Sequence, residues 1–187
     1  GTRLAHAEKE FKRLIETLNV PVVATWNASD LISNDHELYM GRFGIAGQRG
    51  ANLTVQNCDL LLCVGSHLSI AQTGTMSDAF AREAKIVMVD IDRTELNYKS
   101  ARVDLPVNCD AKVFVNEMLR QSEGRGFTDI GWWRDKCSGY KKYNAVPAEW
   151  TEQKKYINAY SFVDALSDEL SNNDVVVVDG GGTVVYT

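Results

Sequence analysis

The sequence predicts an α/β fold, a parallel sheet with flanking helices, and three observations carry that prediction. Two short apolar runs, Asp59-Leu-Leu-Leu-Cys-Val-Gly65 and Ala84-Lys-Ile-Val-Met-Val-Asp-Ile-Asp92, are rich in Leu, Val and Ile and close on Gly or Asp. Runs of that length and composition suit parallel strands buried on both faces. A helical segment separates them, and an amphipathic helical pattern stands ahead of them at Leu4 to Leu18. Strand, helix, strand places a cleft at Gly65 and Asp90, outside the carboxyl ends of the strands, where open α/β sheets hold ligands.

The 187 residues carry a formal net charge of −5 and 44% hydrophobic content, enough for a packed core. An acidic balance without a Lys/Arg cluster argues against nucleic acid as a partner, because phosphate binding is driven by clustered cations. A small-molecule partner is expected instead. No apolar run approaches the ~20 residues of a membrane span. The start, Gly1-Thr-Arg-Leu-Ala-His6, lacks the charged-then-apolar order of a signal peptide, so a cytoplasmic setting without membrane association is expected. Cys58, Cys63, Cys109 and Cys137 form no Cys-x-x-Cys pair, which argues against disulfides and zinc.

Taken in order, Ala7, Phe11, Leu14, Ile15 and Leu18 share one face of the first helix, with charged residues between them. Asn19 ends it. Val20 to Thr25 follows as a strand whose Pro21 fits only at its start. Trp26 to Asp30 is the loop leaving that strand, reading equally as a ligand-approaching turn or as a cap before a short helix at Leu31 and Ile32. Gly41, Gly44, Gly47 and Gly50 then precede a helix from Ala51. Glycines with a following helix N-terminus suit contact with an anion. The spacing is not Gly-x-Gly-x-x-Gly and no clear strand leads into it, so the competing reading is a flexible surface loop.

After the first buried run, Gly65 to Gly74 offers Ser66, His67, Ser69, Gln72 and Thr73 as hydrogen-bonding side chains. His67 has no carboxylate or Cys partner nearby in sequence and reads as a polar loop residue rather than a catalyst. Ser69 has no base at nucleophile spacing, which rejects a hydrolase elbow. Asp90 ends the second run, where a carboxylate accepts from ribose hydroxyls, and Asp92 suits capping of a helix from Arg93. Arg102 to Val107 is a short strand kept at an edge by Pro106, followed by a helix from Ala111 to Leu119. From Gln121 to Lys155 glycines, charges and Trp132, Trp133, Tyr140, Tyr143 and Trp150 read as a linker with a helix, its aromatics pinning it to a domain surface. Ile157 to Leu170 is amphipathic, Asp174 to Asp179 reads as another buried strand, and Gly180 to Gly182 as its turn.

Several separate motifs now stand in order. They are Gly41-x-x-Gly44, Ala51-Asn-x-x-Val-Gln-x-Cys-Asp-Leu-Leu-Leu-x-Val-Gly65, Thr73-Gly74, Phe80-Ala81 and Ala84-Lys-Ile-Val-x-Val-Asp-Ile-Asp92. From about Val20 to Leu119 the chain strongly resembles the central, nucleotide-binding-like domain of thiamine-diphosphate enzymes of the acetolactate synthase type. The resemblance implies residues 1–120 as that domain, 121–155 as the linker, and 156–187 as the start of a thiamine-diphosphate-binding domain. It implies a parent enzyme, a homo-oligomer, that decarboxylates a 2-keto acid substrate and ligates the acyl unit, using thiamine diphosphate and Mg²⁺ held mostly by residues outside this sequence. No catalysis is expected from the present chain alone. A 2-keto acid decarboxylase, an oxalyl-CoA decarboxylase and a non-catalytic packing module stay open as alternatives. An unrelated NAD-dependent deacetylase-like fold fails on cysteine spacing.

In this family the central domain carries FAD, ADP or nothing. The resemblance places cofactor contacts on Thr25, Trp26, Asn27, Ile45, Ala46, Gly65, His67, Asp90, Ile91, Asp110 and Ala111. The departures weigh against FAD. His67 and Ala71 stand where the flavin-binding relatives have Arg, Ser69 stands at an acidic position, and Ala46 at a His. Arg clamps a diphosphate through paired charge-assisted hydrogen bonds, which neutral His and Ala do not replace.

Overall fold

A computed structural model describes residues 1–97, 101–152, 154–171 and 173–178. The chain divides into two compact units, Gly1–Asn144 and Ala145–Thr187. In the first, helix α1 (Glu8–Leu18) buries Leu14 and Ile15 and ends at Asn19, whose φ of 53° is left-handed and whose N–H donates to the Ile15 carbonyl. It begins later than the apolar spacing from Leu4 predicts, because His6 takes a φ of 50° and breaks the helical path.

Strand β1 (Val22–Ala24) pairs in parallel with β2 (Tyr39–Arg42), Val22 opposite Tyr39. Between them Trp26–Ala28 forms a 3₁₀ turn, and Leu31 and Ile32 lie in a bend rather than the expected short helix. The strand β2 leads straight into the glycine-rich segment. Helix α2 (Arg49–Gln56) follows that segment and connects to β3 (Leu60–Val64). Helix α3 (Ile70–Thr73) and a 3₁₀ turn at Ser77–Ala79 make up the crossover to β4 (Lys85–Asp90). A short α4 (Arg93–Leu96), β5 (Leu105–Asn108) and α5 (Ala111–Ser122) complete the alternation.

The strands β3, β4 and β5 form a parallel sheet in that order, with Val64 opposite Val89 and Val89 opposite Val107. Edge strand β5 begins at Leu105 rather than Arg102 and holds Pro106 opposite Met88. Successive side chains alternate across the sheet. Cys63, Ile86 and Met88 meet Phe43, Ala51, Val55, Phe80 and Leu96 in one core cluster. In another, Leu14 of α1 packs with Val115 and Leu119 of α5, and Val64 packs against them. Helices on both faces are what a parallel sheet requires.

Helix α6 (Gly131–Tyr140) and the 3₁₀ turn Lys141–Tyr143 pack on α2. Cys137 is fully buried there. Of the aromatics expected to hold this segment Trp132 is exposed, Trp133 and Tyr140 are half-buried, and Tyr143 lies under the Arg49 guanidinium at 5.7 Å. The second unit holds α7 (Ala148–Thr151) and α8 (Ala159–Glu169), with the Trp150 and Tyr160 rings 5.5 Å apart. Asn158 caps α8 by accepting from the Tyr160 and Ser161 amides. The expected buried strand from Asp174 is absent over its described residues. Val175 and Val177 are 86% and 88% exposed and residues 174–178 have no ladder partner. An apolar run becomes a parallel strand only beside another strand, and no described residue pairs with it. Asp179 and Gly180 to Gly182 lie outside the described residues.

Candidate functional site

All the candidate contacts sit at or just beyond the carboxyl ends of the parallel strands. Thr25, Trp26 and Asn27 follow β1, while Ile45 and Ala46 lie exposed in the loop after β2. Gly65 and His67 follow β3, Asp90 and Ile91 end β4, and Asp110 and Ala111 follow β5. Five of the eleven come together: Gly65, Asp90, Ile91, Asp110 and Ala111 line one cleft of about 60 Å³, with Gly1 and Ala5 beside them. The other six lie outside its lining. The backbone nitrogen of Gly1 donates to the Gly65 carbonyl at 2.7 Å, so the N-terminal stretch runs along the cleft. Gly65 itself has a φ of +57° and donates its N–H to the Val89 carbonyl at 2.8 Å, which turns the chain out of β3.

The carboxylates around this cleft are engaged with backbone. Asp90 Oδ1 accepts from the Asp92 amide at 2.9 Å, and Asp92 Oδ1 accepts from the Thr94 amide at 2.7 Å. Asp92 is thus the cap expected for α4. Asp110 caps α5 in the same manner, accepting from the amides of Lys112 and Val113 at 2.8 and 3.2 Å. Lys112 Nζ reaches Glu10 at 3.1 Å and the His6 carbonyl at 2.8 Å, tying α5 to α1.

His67 departs from its sequence reading. Its Nδ1 meets Glu95 Oε2 of α4, a carboxylate 28 residues away. The pair spans the loop after β3 and the helix after β4. Ser69 is bonded within its own turn: its carbonyl accepts from the Thr73 hydroxyl and its hydroxyl donates to Gln72 Oε1. Ser66 Oγ is buried with no hydrogen-bond partner.

The glycine-rich segment is neither an open anion cradle nor a loose loop. The Gly44 amide donates to Asn52 Oδ1 at 2.8 Å, and Asn52 Nδ2 donates back to the Gly44 carbonyl at 3.0 Å. The Ile45 amide goes to the Ala71 carbonyl, Gly47 to Gly44 and Gln48 to Arg42. The Gly50 amide, in the first turn of α2, donates to Asn144 Oδ1 at 2.7 Å. An N–H already donated inside the protein is not offered to a phosphate. Asn52 and Asn144 are the residues sequence reasoning missed here; Asn52, eight residues past Gly44 on the following helix, was within reach of a local reading, and Asn144 was not.

Burial pushes the Cys63 thiol up to about 12 and the Cys58 thiol up to about 11. Neither is a ready thiolate at neutral pH. Among the described residues no group of three or more His, Cys, Asp and Glu side chains is placed to hold a metal ion. Among the same residues no helix is long and apolar enough to cross a membrane.

The family model described as thiamine pyrophosphate enzyme, central domain, matches residues 1–118. A probable acetolactate synthase large subunit of Methanococcus aeolicus is 29% identical over 97% of this chain and 32% of its own length. A protein with the same description from Methanocaldococcus jannaschii is 31% identical over 93% of this chain and 29% of its own length. The acetolactate synthase large subunit of Corynebacterium glutamicum is 33% identical over 91% and 27%. The chain thus spans about a third or less of the curated relatives it matches. The parallel sheet, the cleft at its strand ends and the match across residues 1–118 agree, and the chain belongs to the thiamine pyrophosphate enzyme family as a bearer of its central domain.

Proposed function

We propose that this chain is the middle region of an acetolactate synthase-like enzyme that decarboxylates a 2-keto acid and ligates the acyl unit to an acceptor. The observation that carries this reading is its likeness to proteins named acetolactate synthase large subunit over more than nine-tenths of its length. Thiamine diphosphate, with Mg²⁺ holding its diphosphate, supplies a stabilised carbanion when bound in the whole protein. The residues described here contribute position rather than chemistry. The two core clusters fix a rigid sheet, and the rigid sheet fixes the spacing of whatever precedes and follows it in a homo-oligomeric, cytoplasmic enzyme.

The cleft at Gly65, Asp90 and Asp110 is proposed as the ligand site of this domain. Flavin fits it poorly. A flavin diphosphate needs cationic donors, whereas Asp90 and Asp110 line the cleft and His67, with its Nδ1 on Glu95, lies outside that lining. That arrangement favours the second reading, a domain serving packing rather than FAD binding.

The test is an assay of the whole protein with pyruvate, thiamine diphosphate and Mg²⁺, beside the same assay on the 187-residue chain. The whole protein is expected to form acetolactate and the short chain none. Aldehyde release without ligation by the whole protein sinks the synthase reading in favour of a decarboxylase. Carboligation by the short chain defeats the positioning role.

A further inference from the structure

We propose that the peptide bond between Arg125 and Gly126 is a processing site for an arginine-directed endoprotease, and that the cut chain stays assembled. None of the residues around this bond lines the cleft. Between α5 and α6, Glu123 to Asp129 are all exposed, and the chain there is neither helix nor strand. Gly124 turns it away from α5 with a φ of +67°, and nothing lies within 4 Å of a Cβ placed at Gly124 or Gly126. Gly126, Phe127 and Thr128 have no hydrogen-bond partner among the described residues. A protease takes its substrate as an extended strand and pairs with its backbone amides and carbonyls, so a segment without internal pairing enters without local unfolding. Exposed loops with small residues are where nicking concentrates.

The arginine itself is free to enter an acidic specificity pocket. Arg125 has no ion-pair partner among the described residues, whereas Arg3, Arg82, Arg102, Arg120 and Arg134 meet Asp30, Glu83, Asp104, Glu117 and Asp129. Arg82 is the most exposed of those five, but Ala81 before it and Ala84 after it are buried, so its backbone enters a protease only if the start of β4 opens. The step is a hydrolysis in which the C–N bond breaks. The hydroxyl of water goes to the Arg125 carbonyl carbon and its proton to the Gly126 nitrogen, and the new ends ionise to carboxylate and ammonium. What then holds the piece from Gly126 onward is noncovalent. Cys137 of α6 is fully buried, and a Cβ at Gly50 of α2 would lie 2.5 Å from the Tyr140 carbonyl oxygen, so the two helices are in direct backbone contact. Asn144 bonds the Gly50 amide and the Met40 carbonyl, and the Tyr143 ring lies under Arg49.

Limited digestion of the folded 187-residue chain with an arginine-specific endoprotease tests this. That specificity matters because Lys154 and Lys155, exposed in the bend before α8, would add cuts with trypsin. Intact-mass spectrometry is expected to find 1–125 and 126–187 as the first products. Arg125→Gln, a change at an exposed side chain, should slow the first cut at least about tenfold and leave the urea midpoint unmoved. On size exclusion the nicked chain should elute with the uncut one in native buffer and as two pieces in urea. A first cut at Arg82, Arg120 or any other arginine overturns the site, as does no cut under conditions that digest the urea-unfolded chain. A first cut in Arg125→Gln within about twofold of the wild-type rate does the same. Elution of 126–187 apart from 1–125 in native buffer overturns the retained assembly.

Discussion

Asn144 accepts from the amide of Gly50, 94 residues earlier in the chain, at 2.7 Å, and donates its own amide to the Met40 carbonyl at 3.1 Å. One side chain therefore holds a first-turn amide of α2 and fastens the segment carrying α6 to Met40 inside β2. Both partners are partly buried, and leaving them unpaired costs about 1–3 kcal/mol. Asn144→Ala is expected to lower stability by about that amount in urea unfolding. Asn144→Asp keeps the acceptor and loses the donor, so its midpoint should fall between the two. A wild-type midpoint for Asn144→Ala sinks the clamp.

Gly44 sits at a φ of +119°, and a Cβ placed there lies 2.7 Å from the Ala71 carbonyl oxygen. That carbonyl also accepts the Ile45 amide. Gly44→Ala therefore combines backbone strain with a clash against main chain and should destabilise by about 2 kcal/mol or more. Gly74 is the control: its φ is +78° but nothing lies within 4 Å of a new Cβ. With its ψ at −178°, a region essentially confined to glycine, Gly74→Ala should cost about 1–3 kcal/mol from conformation alone, and Gly44→Ala more because of its clash. Equal losses in the two variants would show that the contact with Ala71 is not rigid.

These two positions show which parts of the fold sequence can disclose. The strands β3 and β4 are local, five and four apolar residues bounded by Asp, Gly and Lys, but burial on both faces holds only in part: in β3 Cys63 is buried while Leu60 at its start is 58% exposed. The cap at Asp92 is local too, two residues from the amide it serves. In contrast β2 is Tyr-Met-Gly-Arg, without alternation and with a glycine, and its first three residues are buried because β1 pairs with it and α2 lies against it. Asp174 to Val178 is the opposite error. It has a strand's composition, and the pairing that would make it one is not within the described residues. The Glu95 partner of His67 was invisible for the same reason. A contact across 28 residues depends on the register of two strands, not on spacing.

Leu14 is 1% exposed where α1 meets α5, in one cluster with Val115 and Leu119. Phe11 and Leu18 of α1 and Phe114 and Met118 of α5 pack against that cluster, and beside it Lys112 Nζ meets Glu10 at 3.1 Å. Leu14→Ala leaves a cavity between two helices held apart by their backbones and should cost about 2–5 kcal/mol. Lys112→Ala, removing an exposed pair, should cost under about 1 kcal/mol. Chemical denaturation of the two variants orders the contributions, and a larger loss from Lys112→Ala refutes the packing account.

Thiols raised above their ordinary range by burial are slow to alkylate, because only the thiolate reacts. Burial raises Cys58 to about 11 and Cys63 to about 12, and it raises Cys137 as well. With iodoacetamide at mildly alkaline pH the folded chain should therefore protect these three, and urea should release them together. Mass-spectrometric mapping reads the order. Labelling of Cys63 at the same rate in folded and unfolded protein would contradict its buried position on β3.

Glu117 shows how the surface of α5 responds to acid. Its carboxylate takes two N–H groups from Arg120, at 2.6 and 2.8 Å, and one from Gln121 at 2.7 Å. Those hydrogen bonds, Arg120 first, hold the carboxyl well down, to about 2 from an ordinary 4.5. A carboxyl depressed by folding binds its proton more weakly in the folded state. Its contribution is complete above the unfolded value of 4.5 and is lost as pH falls towards 2. Both side chains are largely exposed, so salt should shrink the effect. Carbon-detected NMR of the folded chain should place the Glu117 midpoint near 2, and Arg120→Gln should return it most of the way to 4.5. An ordinary midpoint in wild type, or one indifferent to Arg120→Gln, would mean that this fork does not form in solution.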